Sequence, residues 1–194
     1  SKNKVDTEHI LSHVEDLYEI VPEGEDIPVD VILLNTCGFI GDAKEESVQA
    51  VLEAVDKKKR GEADKVIVFG CLSQRYADEL PELIPEVDGW FGARDFDPVI
   101  RALGAEPDPE KRNHRYLTTP SHYAYLKISE GCDRRCSYCA IPSIRGGFRS
   151  RKMEDVLEEA NMLCEKGVKE LILVAQDTTR YGEDLYGELK LPEL

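Results

Sequence analysis

The sequence lacks long apolar runs, an excess of positive charge and a dense set of cysteines. No apolar stretch approaches the ~18 residues that a membrane-spanning helix needs, and the first residues contain no apolar segment typical of a signal peptide. The 25 basic and 39 acidic residues give a formal charge of −14, so the average field disfavours direct binding of nucleic acid. Six cysteines in 194 residues are too few for a disulfide scaffold. These absences predict a globular cytoplasmic protein without a membrane partner, whose reduced thiols bind metal, catalyse or fill the core.

Helical and strand patterns alternate through the first ~100 residues. Apolar residues at helical spacing predict a first helix over 10–17, and nearly continuous apolar runs predict buried parallel strands over 29–34 and 65–69. Between these strands, Asp42 followed by Glu45 predicts the start of a helix. An acidic loop is predicted over 22–28, short helices over 74–80 and 98–103, and a short strand over 89–91. Together these elements predict a unit in which helices pack on a parallel sheet.

The second half of the sequence opens another α/β unit. A polar stretch with three prolines predicts a linker. After it the sequence predicts a strand over 123–128, a cysteine-rich loop over 132–139, a helix over 153–166 and a second strand over 170–175. We therefore predict an N-terminal domain over 1–104, a linker over 105–120 and the N-terminal part of a second domain over 121–194. Because no methionine begins the sequence and nothing marks a natural end, we expect a piece of a longer protein.

Two cysteines directly follow predicted strands of the first unit. Cys37 comes after the run that ends in Leu34, and Cys71 comes after Gly70. The carboxyl ends of strands in open α/β sheets form the edge where ligands bind, so these thiols are candidate metal ligands. Two cysteines 34 residues apart are a weak motif, however, and free thiols in a core are the alternative.

The strongest chemical signal is the loop of Cys132, Cys136 and Cys139, which has the pattern CxxxCxxC. Three thiolates on one short loop can converge on a single metal centre. A zinc site would need a fourth nitrogen or sulfur ligand, but the loop contains no histidine and the sequence has no second close cysteine pair. A four-iron cluster held by three thiolates keeps one iron open to an exogenous ligand. The pattern favours such a cluster.

The residues around this loop resemble a known family. The segment 131–142, which follows a strand, is similar to the radical S-adenosylmethionine (SAM) enzymes. The stretch 141–151 resembles their methylthiotransferase branch, and the stretches 174–182 and 184–187 resemble members of that branch that modify an aspartate of a ribosomal protein. Shorter matches to the N-terminal domain of that branch extend the resemblance to nearly the whole chain, at Lys2–Asp6, Asn35–Cys37 and Gly70–Cys71.

The resemblance implies a fold, a reaction and a set of cofactors. The implied fold is an N-terminal parallel-sheet methylthiotransferase domain followed by the truncated start of a radical SAM (β/α) partial TIM barrel. The implied enzyme is a transferase that adds a methylthio group to the β-carbon of an aspartate in a small-subunit ribosomal protein, with an external electron donor as a second partner. The implied cofactors are SAM and two 4Fe–4S clusters. Cys132, Cys136 and Cys139 would hold the cluster that binds SAM, and Cys37 and Cys71 would hold the other.

Candidate SAM contacts lie in and beside the cysteine loop. Tyr138, between two predicted ligands, is expected to flank the adenine, whereas Gln176 and Asp177, at the end of the next strand, are expected to hydrogen-bond SAM. No side chain is assigned a catalytic role. Between positions 134 and 152 the sequence has six basic residues and no acidic one: Arg134, Arg135, Arg145, Arg149, Arg151 and Lys152. They indicate either a positive collar, which would surround the cluster, the SAM carboxylate and an acidic substrate, or a solvated loop.

Cys164 carries a different expectation from the other cysteines. It recurs at helical spacing with Val156, Leu157, Ala160 and Leu163. This spacing predicts that Cys164 lies on the buried stripe of its helix as a small apolar residue and does not bind metal.

The sequence departs from the family at its start. The family has a cysteine immediately before the segment that begins at Ser1, and this cysteine is the third ligand of the second cluster. The chain lacks it, together with the first strand, the remainder of the barrel and the C-terminal substrate-binding domain. The resemblance therefore implies impaired assembly of that cluster and no turnover by this piece alone.

Three other functions are open at this point. They are a tRNA adenosine methylthiotransferase of the same superfamily, a non-catalytic zinc-stabilised interaction module, and an iron–sulfur electron carrier without SAM chemistry. The acidic composition and the stretch 176–179 favour a protein substrate over tRNA.

Overall fold

The computed structural model describes residues 2–22, 24–25 and 27–194, so the predicted acidic loop lies partly outside the described residues. The chain opens with helix α1 (Lys2–Val14). Contacts divide the chain into two compact units: one runs from Val14 to Pro107, and the other joins the residues up to His13 with Asp108–Leu194. Helix α1 therefore lies almost wholly in the unit that contains the cysteine-rich loop.

In the unit Val14–Pro107, strands alternate with helices, as the sequence predicts. Its elements are β1 (Val29–Thr36), α2 (Gly41–Lys59), β2 (Ala63–Gly70), α3 (Cys71–Arg75), α4 (Leu80–Leu83), β3 (Gly89–Trp90) and α5 (Asp97–Ala102). The three strands form one parallel sheet with β2 in the middle. Val51 and Val55 of α2 pack on Val66 and Val68 of β2 in the core, where branched side chains suit a strand covered by a helix.

The unit with Asp108–Leu194 is built around one β-α-β crossover. Its elements are a 3₁₀ turn (Pro109–Lys111), β4 (Tyr123–Lys127), β5 (Ser129–Glu130), α6 (Ile141–Arg145), β6 (Arg149–Ser150), α7 (Met153–Glu165), β7 (Glu170–Val174), a second 3₁₀ turn (Thr178–Arg180) and α8 (Glu183–Tyr186). Strands β4 and β7 are parallel neighbours, and β5 and β6 form a short antiparallel pair. The predicted α/β class with parallel sheets is confirmed. None of the described helices is both long and apolar enough to cross a membrane.

Cys164 does not lie on the buried side of α7, so that expectation is wrong. The buried residues of the helix are Val156, Glu159 and Leu163, and Cys164 is exposed. Successive residues of a helix are rotated by about 100° around its axis. With Glu159 and Leu163 on the buried face, Cys164 lies about 100° away from Leu163 and faces solvent. Sequence periodicity missed this because Glu159 is a charged residue on the inner face.

The predicted linker segment contains buried charge. Arg115 is 3% exposed, and Asn113 is buried with it. The Arg115 guanidinium pairs with Glu8 of α1 and with Glu159 of α7. The part of the predicted linker around Arg115 is therefore packed into the unit that contains Asp108–Leu194, which we call the second unit, and the linker is not solvated along its whole length.

Candidate metal centre

The cysteine-rich loop starts at a constrained glycine. Strand β5 ends at Glu130, and Gly131 follows with a φ of +76°. A Cβ at this position would collide with the carbonyl oxygens of Gly146 and Gly147, so only glycine fits without a backbone shift. The backbone N–H of Cys132 then donates a hydrogen bond to the Gly146 carbonyl oxygen at 3.1 Å. The chain thus enters the loop in one fixed direction.

The three thiols of the loop are free and differ in exposure. Cys132 and Cys139 are half-buried, and Cys136 is exposed. A turn is closed by the Cys139 N–H, which donates to the Cys136 carbonyl oxygen at 3.0 Å. The Arg134 N–H donates to the Cys132 Sγ at 3.4 Å. Hydrogen bonds to the ligand sulfurs are one means by which proteins tune iron–sulfur clusters.

The loop is not arranged as the site of a single metal ion. Within residues 2–22, 24–25 and 27–194, no three histidine, cysteine or carboxylate side chains are grouped as ligands of one ion. A four-iron cluster makes a different demand, because each thiolate binds a separate iron. Three free thiols on one short loop, with an N–H directed at one sulfur, fit that donor set.

Glu130 lies at the neck of the loop, where several donors meet its carboxylate. Its Oε1 accepts hydrogen bonds from Lys2 Nζ at 2.7 Å, from Gln176 Nε2 at 3.0 Å and from the Gly131 N–H at 3.1 Å. Its Oε2 accepts from Lys127 Nζ at 3.2 Å and from Arg145 Nη1 at 3.4 Å. We call the charged and amide side chains gathered here the neck cluster: Lys2, Asp6, Lys127, Glu130, Arg145 and Gln176.

Asp6 is the second carboxylate of the neck cluster. It accepts hydrogen bonds from Lys127 Nζ at 2.5 Å and from Arg145 Nη1 at 2.7 Å. Arg145 and Asp6 are each only 1% exposed, and Arg145 Nη2 also donates to Asn3 Oδ1 at 2.8 Å. The cluster therefore holds three cations against two carboxylates. Its excess of one positive charge lies beside a loop whose thiolates are negative when they bind metal.

The neck cluster predicts a pH-dependent contribution to stability. Burial raises the pKa of Glu130, but Lys127, Lys2 and Arg145 outweigh it and lower the pKa from 4.5 to about 2. Because the folded-state pKa is depressed, the stabilisation is complete above pH 4.5 and is lost as the pH falls towards 2. We expect the difference in unfolding free energy between wild type and Glu130→Gln to shrink by about 1 kcal/mol from about pH 7 to about pH 3.5. Urea unfolding at both pH values measures it, and a pH-independent difference would contradict the shift.

Two charged residues anchor the loop to neighbouring segments. Asp133 Oδ1 accepts a hydrogen bond from the Phe148 N–H at 3.1 Å. Arg134 Nε donates to Asp177 Oδ2 at 3.1 Å, and the Thr179 hydroxyl donates to Asp177 Oδ1 at 2.6 Å. The Thr179 hydroxyl and the Arg134 guanidinium hold the pKa of Asp177 below its usual value. Asp177 is therefore an ionised anchor of the loop.

The predicted SAM contacts occupy different parts of this site. Tyr138 is 92% exposed, at the outer part of the loop. Gln176 lies in the neck cluster, where its Oε1 accepts from Lys2 and its Nε2 donates to Glu130. The polar groups of Gln176 and Asp177 are thus already engaged with other residues of the site, and all three SAM contacts stay predictions.

The basic segment 134–152 is not a uniform exposed collar. Arg145 is buried, and the half-buried Arg151 pairs with Glu159 at 2.5 Å. The other four basic residues are exposed: Arg134, Arg135, Arg149 and Lys152. A positive surface near the loop therefore rests on these four, while the two inner arginines balance buried carboxylates.

The second cysteine pair lies side by side at the end of the first sheet. Thr36 of β1 is paired with Gly70 of β2 at the last position of the register, so Cys37 and Cys71 leave adjacent strands together. Cys71 is buried and begins α3, whereas Cys37 is half-buried. Ser47 of α2 fixes the Cys37 backbone, because its Oγ accepts the Cys37 N–H at 2.9 Å and donates to the Cys37 carbonyl oxygen at 3.2 Å.

One polar atom next to this pair has no partner in the described structure. The Ser73 hydroxyl, two residues after Cys71, is buried and makes no hydrogen bond to any described residue. Unsatisfied buried hydroxyls are uncommon in native proteins and often mark a position where a further group binds. Two cysteines outside any disulfide, on adjacent strand ends and with such a hydroxyl two residues away, fit a metal centre that has further ligands.

Gly38 allows the two cysteine-bearing turns to approach. A Cβ at Gly38 would lie 2.8 Å from the carbonyl carbon and oxygen of Cys71, and Arg75 Nη1 donates to the Gly38 carbonyl oxygen at 2.8 Å. We expect Gly38→Ala to push the turns apart and to lower the unfolding free energy by about 1–3 kcal/mol. The matched control is Gly41→Ala, since a Cβ at Gly41 meets nothing within 4 Å. Equal urea midpoints for both variants would contradict the close approach.

Comparison with known proteins assigns most of the chain. Residues 1–92 match a family described as Uncharacterized protein family UPF0004, and residues 126–192 match the Radical SAM superfamily. The two matched segments follow one another along the chain, the UPF0004 match first and the Radical SAM match second. The cysteine-rich loop lies inside the Radical SAM segment, and Cys37 and Cys71 lie inside the UPF0004 segment.

Similarity to curated relatives extends over the whole chain. The chain is 51% identical over 194 residues to "Ribosomal protein uS12 methylthiotransferase RimO" of Chlorobium phaeobacteroides. Proteins of the same name from Porphyromonas gingivalis and Bacteroides thetaiotaomicron are 50% and 48% identical over 195 residues. Each alignment covers 100% of this chain and 45% of the relative, so the chain spans less than half the length of these relatives. The resemblance predicted from the sequence is confirmed.

Sequence reasoning missed the neck cluster. Lys2 and Asp6 are four residues apart on α1, a spacing that places them on one face of a helix. Glu130 immediately precedes the Gly131–Cys132 pair. These two signals, read together, could have marked α1 as a support of the loop, but nothing in the sequence places α1 beside β5.

Proposed function

We propose that the full-length protein containing this chain is a radical SAM methylthiotransferase of the reducing cytoplasm, which adds a methylthio group to the β-carbon of an aspartate in a small-subunit ribosomal protein. The observation that carries the proposal is a loop of three free thiols within a Radical SAM segment, in a chain that resembles uS12 methylthiotransferases from end to end. The domain division 1–104, 105–120 and 121–194 is part of the same proposal.

The proposed ligands of the first 4Fe–4S cluster are Cys132, Cys136 and Cys139. Their loop is held at one end by Gly131 and Glu130 and along one side by Asp133 and Arg134, while Cys136 stays exposed. The second 4Fe–4S cluster would use Cys37 and Cys71, whose turns are fixed against each other. These arrangements support the assignment because each places its thiols on a backbone that is already constrained.

The residues of the chain have separate tasks in the proposed reaction. When bound, the first cluster and one SAM would supply a one-electron cleavage of the SAM sulfonium C–S bond and, through it, the removal of hydrogen from an unactivated carbon, and the second cluster would supply sulfur that another SAM has methylated. The electron comes from an external donor. Tyr138 would flank the adenine, and Gln176 and Asp177 would orient SAM beside the loop. The exposed basic residues near the loop would attract the SAM carboxylate and an acidic substrate.

The substrate class decides between the proposed reaction and its alternative. Full-length protein with reduced clusters is incubated with SAM and either the small-subunit ribosomal protein uS12 or tRNA, and the products are analysed by mass spectrometry. We expect the mass of an added methylthio group on an aspartate of the ribosomal protein, and no product when SAM is omitted. Modification of tRNA alone would replace the proposal by the tRNA-modifying activity.

A further inference from the structure

Glu130 has more contacts than a surface carboxylate needs, and it directly precedes the loop. We propose that Glu130 is a positioning residue for the cluster-binding loop, which fixes the direction in which Cys132 presents its thiol. The proposal rests on the proposed function, because it gives the loop a metal to bind. It concerns a residue that the reaction itself does not use.

The contacts of Glu130 join separate parts of the unit. Its carboxylate receives Lys2 from α1, Lys127 from β4, Arg145 from α6 and Gln176 from the segment after β7. Two of these donors are distant in sequence: Lys2 lies 128 residues before Glu130 and Gln176 lies 46 residues after it. One side chain therefore ties four elements to the first residue of the loop.

The fifth donor transmits this constraint into the loop. Glu130 Oε1 accepts the N–H of Gly131, the next residue, at 3.1 Å. The following N–H, that of Cys132, is bound by the Gly146 carbonyl oxygen, and Gly131 itself has a conformation that only glycine adopts readily. Two successive peptide groups are thus fixed immediately before the Cys132 side chain, whereas Tyr138 further along is fully open to solvent.

The carboxylate is also needed for charge balance. Without it, Lys2, Lys127 and Arg145 would share the single carboxylate of Asp6, and Lys2 would lose its ion pair with Glu130. Uncompensated buried charge is costly, so the cations would move apart or draw in water. Either change displaces the strand end from which the loop departs.

Two substitutions separate the charge of Glu130 from its reach. Glu130→Gln keeps the size and removes the charge. Glu130→Asp keeps the charge but is one methylene shorter, so it cannot reach the Gly131 N–H and the outer donors together. Glu53→Gln is the matched control, because Glu53 is an exposed residue of α2 in the other unit.

The test measures cluster retention and its spectrum in the full-length protein. Wild type and the three variants are reconstituted anaerobically with iron and sulfide and are then challenged with a chelator. Iron per chain, far-UV circular dichroism and the electron paramagnetic resonance (EPR) spectrum of the reduced cluster with and without SAM are recorded. We expect Glu130→Gln and Glu130→Asp to keep the wild-type circular dichroism, to retain iron about tenfold more weakly, and to show a changed EPR response to SAM. Glu53→Gln should match wild type.

The outcomes separate the two proposals. Equal iron retention and identical spectra in wild type and both Glu130 variants would overturn the positioning role alone. Loss of the folded circular dichroism signal in both variants would make Glu130 a residue of folding and would also overturn it. A wild-type protein that takes up no iron at the loop would overturn the proposed function, and this inference with it.

Discussion

Replacing Cys132 by alanine should remove most of the iron that the chain binds after anaerobic reconstitution. Cys132 is the proposed ligand at the fixed end of the loop, where the backbone is held by Gly131 and by the hydrogen bond to the Gly146 carbonyl oxygen. Without it, only Cys136 and Cys139 of the loop remain to hold a cluster, and Cys136 is exposed to solvent. Iron and sulfide quantification, with the absorbance near ~400 nm that iron–sulfur clusters show, measures the loss.

Cys164→Ala is the matched control for this experiment. It makes the same chemical change at an exposed position of α7, outside the loop, and should leave the iron content unchanged. Equal iron in Cys132→Ala and wild type would mean that the loop is not the binding site. A colourless wild-type protein with stoichiometric zinc would instead favour the zinc-stabilised interaction module and remove any redox role for the three thiols.

The parts of the fold that follow local patterns were predictable. Apolar runs marked β1, β2, β4 and β7 to within a few residues, because strands covered by helices are apolar along their length. Because Cys37 and Cys71 each follow such a strand, the sequence predicted that both lie at the same edge of the sheet. The parallel register of β1 and β2 places them at that edge. The spacing of the three loop cysteines was visible for the same reason, since all three lie within eight residues.

The supports of the loop could not be predicted, because they are long-range and polar. Asp6 meets Lys127 across 121 residues and Arg145 across 139 residues, and no periodicity encodes such pairs. Arg145 was one of six basic residues predicted to lie in a positive collar or in a solvated loop, yet it is 1% exposed. Burial of a charged residue depends on the partner that tertiary structure brings to it, and sequence spacing alone does not identify that partner.

Arg115 should be the residue whose loss destabilises the second unit most. Its Nη1 donates to Glu159 Oε1 at 2.6 Å and to the Tyr125 carbonyl oxygen at 3.1 Å, and its Nε donates to Glu8 Oε2 at 3.1 Å. The side chains of Arg115, Glu8 and Glu159 are 3%, 0% and 4% exposed. Arg115→Met would leave two buried carboxylates without their shared cation. We expect the unfolding free energy to fall by about 3–5 kcal/mol, measured by urea unfolding of the chain.

A nearby arginine and a double variant identify the cause of this loss. Arg112 pairs with Asp155 but is 65% exposed, so Arg112→Met should cost at most about 1 kcal/mol. Glu159 keeps its ion pair with Arg151, so Glu8 is the carboxylate that loses its ion pair. Combining Arg115→Met with Glu8→Gln removes that charge and should recover part of the loss, because the cost arises from unpaired charge and not from the missing guanidinium itself. If the double variant is less stable than Arg115→Met, packing of the arginine side chain outweighs its charge, and the buried ion pairs are not what holds α1 against α7.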